Sequence, residues 1–412
     1  MKVAYYSPLP PDRSGIADYS ALLLPELERR IEVVRIGRRR WIGPRDVDVR
    51  LYHVGNNPDA HAWIVDALRK NPGVVVLHDF VLHHLVAGLT IGRRDGHGYL
   101  DAMEREGGVV GRLLAHGVLD KRIPPLWESR PEDYHLAGEI LDLATGLIVH
   151  SRYVEERARA AGYEGPVWRI PHPAWEHGPV GPAEVEGEPL IGSFGNVNAS
   201  KRIPQLLEAF ALLRRERPGA RLLLVGAVSP GFDLDRRLQR LGLSGEGILR
   251  EAYVDEDRLW SLMAACDVCV SLRSPTMGET SGSVIRQLSL GKPIVVSDVG
   301  WFAELPDDVA LKVPVDAQEA QTIYAALELL ARDESARSSM SAAAVELVRR
   351  EHDAGRAAEL YVAALEQAVG GAAVADAVLE DVARAAADVG IGAGSPEAAE
   401  LARRLDEVEL GR

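Results

Sequence analysis

The chain has 412 residues, of which 47% are apolar, more than one ordinary domain holds and enough to bury two large cores. Its formal charge of −14 argues against non-specific binding to nucleic acid or to an anionic membrane over most of the surface, so an anionic ligand must be met by local groups. No apolar run approaches the roughly 18 residues of a membrane span, and MKVAYYSPLPPDRSG enters a strand and a turn without a signal-peptide core, so the cytoplasm is the expected location. In chain order, the first half carries short apolar runs of the buried-strand kind: VAYYS, VVRIG, RLYHVG, VVVLHD, GLIVHS and VWRIPH. The second half repeats the pattern with LIGSFG, RLLLVGA, ILREAY, VCVSL, PIVVSD and ALKVP. Amphipathic helical stretches such as Ser20 to Arg30, Ile203 to Arg215 and Asp257 to Ala265 stand between them.

Strand, helix and strand in alternation predict an α/β protein with two doubly wound parallel sheets covered on both faces. Such sheets bind ligands at the carboxyl ends of their strands, which predicts a cleft lined by strand-to-helix loops. The proline- and acid-rich segment PVGPAEVEGEP marks a linker, giving domains over 1–183 and 184–350. The glycine-rich segment from Val86 to Gly138 is expected as an insertion over one end of the first sheet. An alanine-rich helical tail, 351–412, is expected to pack back on the first domain, and its GIGAGSPE break is a helix-to-helix loop because no strand precedes it. Cys266 and Cys269 have a C-x-x-C spacing, but no second pair completes a metal site; they are expected as buried thiols.

In the first half, SPLPPDRSGIADYS joins strand one to helix one, with Ser14 and Gly15 at a turn where a ligand could approach the backbone. Asp46-Val47-Asp48 has a D-x-D spacing but sits in a charged turn ahead of a strand. His78 and Asp79 end the fourth run; His78 is expected as a polar cleft group, whereas His83 and His84 fall on different faces of a helix, which disfavours a three-histidine metal site. After LIGSFG, the loop from Gly195 through Asn196 to Lys201 and Arg202 presents two cations at a helix start, where they oppose the helix dipole; a diphosphate counter-charge explains them, and a solvated pair is the alternative. The most informative segment runs from Arg273 to Asp298. There Glu279, Thr280, Ser281, Gly282 and Ser283 open a helix whose free amides form an anion cradle, with Thr280 or Ser281 as N-cap. Glu279 would repel a bound phosphate and so is expected to face sugar hydroxyls, unless it serves only to cap the helix.

Together these loops resemble the retaining glycosyltransferases of family 4 over residues 1 to about 370. The resemblance implies the GT-B fold, two Rossmann-like domains with a cleft between them, and transfer of a sugar from a nucleotide-diphosphate sugar to an acceptor hydroxyl with retention and without metal or other cofactor. It implies that Ser14 and Gly15 face the donor, that His78 and Glu279 orient the sugar, and that Lys201 and Arg202 neutralise the diphosphate. Asn196 stands where the family commonly has an arginine, and backbone near Val254 would meet the nucleobase. The family's E-x(7)-E pair is incomplete, since Arg286 replaces the second, ribose-holding glutamate. The same architecture also admits a nucleotide-sugar 2-epimerase or a non-catalytic nucleotide-sugar binding protein. Acceptors implied are a carbohydrate, a lipid-linked molecule or another small molecule, not nucleic acid. The stretch Arg29, Arg30, Arg35, Arg38, Arg39, Arg40 and Trp41 suits either peripheral docking at the inner membrane face or a solvated arginine surface.

Overall fold

The computed structural model describes residues 1–12, 14–38, 43–243, 245, 247–370, 372–392 and 394–407, with the side chains of 372–378 and 406–407 excepted. It divides into two compact units, residues 1–170 with 357–412 and residues 171–356. The first contains strands β1 (Lys2–Tyr6), β2 (Glu32–Ile36), β3 (Val49–Val54), β4 (Gly73–Leu77), β5 (Ala144–Val149) and β6 (Val167–Arg169). They form one parallel sheet in the order β2-β1-β3-β4-β5-β6. Its helices are α1 (Gly15–Glu28), α2 (Pro58–Lys70), α3 (His83–Leu89), α4 (Gly96–Leu119), α5 (Leu126–Ser129), α6 (Gly138–Leu143) and α7 (Arg152–Ala160).

Alternate residues of each central strand face opposite cores. Tyr6, Tyr52, Val75 and Leu77 pack with α2 and α3, whereas Tyr5, Leu51, Val74 and Val76 pack with α1 and the later Tyr361 and Leu365. Because both faces are covered, the central strands are largely apolar and show no strict alternation, with Arg50 and His53 of β3 as polar members. The expected insertion builds its own small core from Val86, Tyr99, Leu100, Met103, Ala115 and Leu126. Within it α4 bends at Gly108, whose φ of 58° and ψ of −148° only glycine adopts readily.

The second unit contains β7 (Leu190–Phe194), β8 (Arg221–Val225), β9 (Ile248–Glu251), β10 (Val268–Ser271), β11 (Ile294–Ser297) and β12 (Ala310–Val313). Its helices are α8 (Ile203–Glu216), α9 (Leu234–Arg240), α10 (Glu256–Ala265), α11 (Gly282–Ser289), α12 (Glu319–Arg332) and α13 (Glu334–Glu351). The parallel order is β12-β11-β10-β7-β8-β9. The order reverses between β7 and β10, and a doubly wound sheet opens a crevice at that switch point.

The chain on either side of residue 180 packs with the second unit: Ala174 N–H donates to the His352 carbonyl at 2.7 Å and Ala183 N–H to that of Ser261 at 2.9 Å. The chain returns through α14 (Ala354–Val369) to the first unit, where the Tyr361 and Tyr19 hydroxyls bond at 2.7 Å and Trp168 donates to Gln367 at 2.7 Å. α15 (Ala372–Asp388) and α16 (Pro396–Glu407) follow, with the glycine-rich break between them. Both cysteines are buried, and burial pushes the Cys269 thiol well above its ordinary pKa. Among the described residues no helix is long and apolar enough to cross a membrane. Arg39, Arg40 and Trp41 lie outside the described residues; Arg29, Arg30 and Arg35 are engaged by Glu26 and Glu28.

Candidate active site

The loop after β7 and the loop after β10 flank the switch point of the second sheet. Ser274 N–H donates to the Ser200 carbonyl at 2.9 Å, tying one loop to the other. Gly195 turns the chain with φ of 105°, and Asn198 Oδ1 accepts from Lys201 N–H at 3.0 Å and from the Ser200 hydroxyl at 2.9 Å. This turn folds the Lys201 side chain back over the strand end, with Nζ 3.5 Å from the Phe194 carbonyl. A Cβ on Gly195 would come within 3.0 Å of that Nζ, so the ammonium occupies the space a side chain would take. Burial first, then the neighbouring Arg273 cation, push the Lys201 pKa down to about 7, with Glu279 opposing.

Arg202 does not join Lys201. It occupies a left-handed conformation (φ 54°) at the N-cap of α8, and its Nε donates to both carboxylate oxygens of Glu319 at 2.9 and 3.0 Å. Glu319 is 1% exposed, so this buried pair holds α8 to α12. The expectation of two cations side by side in one loop is therefore corrected. The second cation beside Lys201 is Arg273, at the end of β10, whose Nε lies 2.5 Å from Glu279 Oε1 and whose N–H donates to Ser297 Oγ at 2.9 Å. Sequence reading passed over Arg273, because one arginine after a strand carries no spacing signal; the glutamate six residues later was the clue.

Glu279 is held from several sides. Besides Arg273, its Oε2 accepts from the Thr276 hydroxyl at 3.1 Å and from Met277 N–H at 2.8 Å. Gly278, at φ 82°, makes the tight turn that permits this. The cap of α11 falls to Ser281, whose Oγ accepts from Val284 N–H at 3.4 Å. The Thr280 hydroxyl is buried with no partner among the described residues. The Ser283 hydroxyl accepts from Gln287 Nε2 at 3.2 Å, and Gln287 in turn accepts from Ser271 at 3.2 Å, linking the first turn of α11 to β10. Gly282 faces the Trp175 ring so closely that a Cβ would approach it to 3.0 Å.

Arg286, one turn further, lies with its guanidinium carbon 3.5 Å from the centroid of the Trp175 ring and Nη2 3.6 Å from Glu256. The cation that replaces the expected glutamate is thus seated on an aromatic face. Asn196 is exposed at the tip of its loop. Val254 follows β9, which ends at Glu251, two residues short of the end of the apolar run ILREAY, and its side chain packs inward.

In the first unit, Ser14 caps α1, its Oγ accepting from Ala17 N–H at 3.0 Å, and Gly15 opens onto free space. His78 ends β4 but is largely buried, its Nε2 3.0 Å from His53 Nδ1 and its ring edge-on to Tyr19. His53 Nε2 is buried without a partner among the described residues, so the favoured tautomer places the proton on Nδ1, donated to His78. His83 is buried against Tyr134 and Tyr99, His84 is exposed, and Asp46 and Asp48 both engage Lys2.

The two doubly wound units have the architecture of the GT-B glycosyltransferases. Sucrose-phosphate synthase from Thermosynechococcus elongatus superposes with a TM-score of 0.59 at 18% identity, over 89% of this chain and 98% of that one. HepE of Anabaena, solved with UDP and glucose, gives 0.58 at 16% over 89% and 100%. The pneumococcal O-GlcNAc transferase GtfA, solved with UDP and GlcNAc, gives 0.54 at 10% over 78% and 57%. Residues 180–346, which include every second-unit residue of the site except Trp175, match the family of glycosyl transferases group 1. No curated protein matches the sequence.

Proposed function

We propose that the chain transfers a sugar from a nucleotide-diphosphate sugar to an acceptor hydroxyl, with retention and without metal. The observation that carries this reading is the gathering of Lys201, Arg273 and the amino end of α11 at the switch point of a sheet from the glycosyl transferases group 1 family. Two cations and a set of free amides match a diphosphate that gains charge as the bond from its oxygen to the sugar breaks. They supply the positive charge that a metal provides in other transferases. As that bond breaks, its electron pair stays on the leaving phosphate, the acceptor oxygen bonds the anomeric carbon on the same face, and the acceptor proton passes to the departing phosphate oxygen. No attacking carboxylate is required, which agrees with Glu279 being tethered by Arg273, Thr276 and Met277.

Lys201 makes the reading testable through protons. With a pKa of about 7 it is half charged at neutral pH, and an adjacent diphosphate raises that pKa. Donor binding therefore takes up a proton, and affinity falls by at most about tenfold per pH unit above neutrality. Titration calorimetry in buffers of different ionisation enthalpy reads the uptake directly. The donor itself is found by thermal shift against UDP-, GDP-, ADP- and dTDP-sugars; UDP-glucose comes first because HepE was solved with UDP and glucose. Product analysis then decides: a glycoside of retained configuration supports transfer, whereas an epimerised sugar without acceptor, or binding without turnover, overturns it.

A further inference from the structure

The insertion of the first unit encloses a cavity of about 1040 Å³ that has no part in the site above. Its walls come from α4, the segment before α6, α6 itself, the end of α7, and Phe80. The wall formed by α6 and α7 lies away from the carboxyl ends of the strands. α6 leads into the amino end of β5, and Arg157 stands six residues, or roughly 9 Å, along α7 from Ser151 at the carboxyl end of that strand.

Charge in this cavity is unevenly matched. Its carboxylates are all engaged: Asp101 by Arg112 at 2.9 Å, Glu139 by Arg69 at 2.6 and 2.8 Å, Asp142 by Arg105 at 3.0 Å, Asp133 by Arg130, and Glu106 by the backbone and ring of His135. Arg157 is the exception. It is half buried, its guanidinium lies 5.4 Å from the Tyr153 ring centroid, and its Nε is buried with neither a hydrogen bond nor an ion pair among the described residues. A sheltered guanidinium is ordinarily matched by an anion. His135, its ring tilted by 60° against Phe80 with centroids 4.9 Å apart, has a second buried nitrogen, Nε2, with no partner among the described residues.

We propose that this cavity binds a carboxylated sugar, a uronic-acid unit whose carboxylate pairs with Arg157. The planar guanidinium fits a carboxylate through two parallel hydrogen bonds. The Phe80–His135 pair offers an aromatic face to the ring's C–H side. Asp101 and Asp142, each with 71% of its side chain exposed, accept from ring hydroxyls while keeping their arginines. A purely apolar acid would desolvate those carboxylates without replacing their hydrogen bonds, which favours the sugar.

The test is titration of the full chain with glucuronate and, separately, glucose. Glucuronate is expected to bind at least about tenfold more tightly than glucose, and Arg157→Ala to reduce it to the level of glucose. Lys201→Ala is expected to leave glucuronate binding unchanged, because the diphosphate site is elsewhere. Equal binding of the two sugars, absence of glucuronate binding, retention of binding by a folded Arg157→Ala chain, or its loss in Lys201→Ala would each overturn the proposal. If Arg157→Ala does not fold, Arg157→Gln replaces it, and the imidazole resonances of isotopically labelled His135 in the native chain must shift with glucuronate and not with glucose.

Discussion

The two sheets are both six-stranded and parallel, yet the groups at their carboxyl ends differ in kind. In the first unit the strand ends carry a cluster of aromatic rings, His53, His78 and His150 against Tyr5 and Tyr19, beside the carboxylate of Asp79, which accepts from Asn56 N–H. In the second they carry formal charge, with Lys201, Arg273 and Glu279 at the switch point and the Arg202–Glu319 pair behind it. A sheet of given topology therefore fixes where a ligand sits, while the loop residues decide what kind of ligand it is. A cationic end suits a diphosphate; an end lined by aromatic rings and a carboxylate suits hydroxyls and sugar rings.

Removing charge from the second sheet should give the largest effect. Lys201→Ala is expected to lower turnover by about 10²- to 10³-fold in initial-rate assays. Near-normal turnover would break the contrast, since the charge would then serve the fold alone. Glu279→Gln sharpens it further, because Glu279 both holds Arg273 and stands where the resemblance places a sugar contact. The substitution should tighten binding of UDP by about three- to tenfold, by releasing Arg273 to the diphosphate, while turnover with the UDP-sugar falls. A double-mutant cycle with Arg273→Ala measures the coupling. Weaker UDP binding by Glu279→Gln would show that Arg273 does not meet the diphosphate.

The buried histidines of the first unit predict an effect of a different kind. Burial lowers the pKa of His61 and of His83 to about 4 and that of His53 well below its usual range. The unfolded chain, titrating near 6.5, binds more protons than the folded one between about pH 4 and 6.5, so stability falls as the pH drops through that window. Each of His61 and His83 accounts for about 3 kcal/mol. Hydrogen exchange followed peptide by peptide from pH 7 to 4.5 should show residues 1–170 losing protection before residues 171–356. Simultaneous loss in both units would break the comparison.

Much of this architecture is legible in the sequence because parallel strands buried on both faces read as unbroken apolar runs. All twelve stand where VAYYS through ALKVP place them. Helix capping at Ser281 and the glycine turn before it are equally local. What escaped reading depends on distant residues. Arg202 and Glu319 are separated by 117 positions, so nothing nearby in the sequence distinguishes a cation bound for a ligand from one bound for a buried carboxylate. Trp175, four residues ahead of the segment that reads as linker, packs on Gly282 and Arg286 for a reason visible only in three dimensions.

The smallest predicted effect concerns how the first unit satisfies its own polar groups. The Tyr19 and Tyr361 hydroxyls are buried and bond each other across the α1–α14 contact at 2.7 Å, and burial pushes both phenols well above their ordinary pKa, so neither ionises to help the other. Removing the Tyr19 hydroxyl strands that of Tyr361 in an apolar core, which costs about 1 to 3 kcal/mol; removing both leaves no Tyr361 hydroxyl to strand. Tyr19→Phe alone should therefore lower the first unit's melting temperature by several degrees, while Tyr19→Phe combined with Tyr361→Phe should recover much of the loss. Denaturant melts of the two single variants and the double variant read this directly. If the double variant loses the sum of the singles, the hydroxyls are not each other's partners, and α14 is held to the first sheet by the packing of Ala357, Ala358 and Leu365 alone.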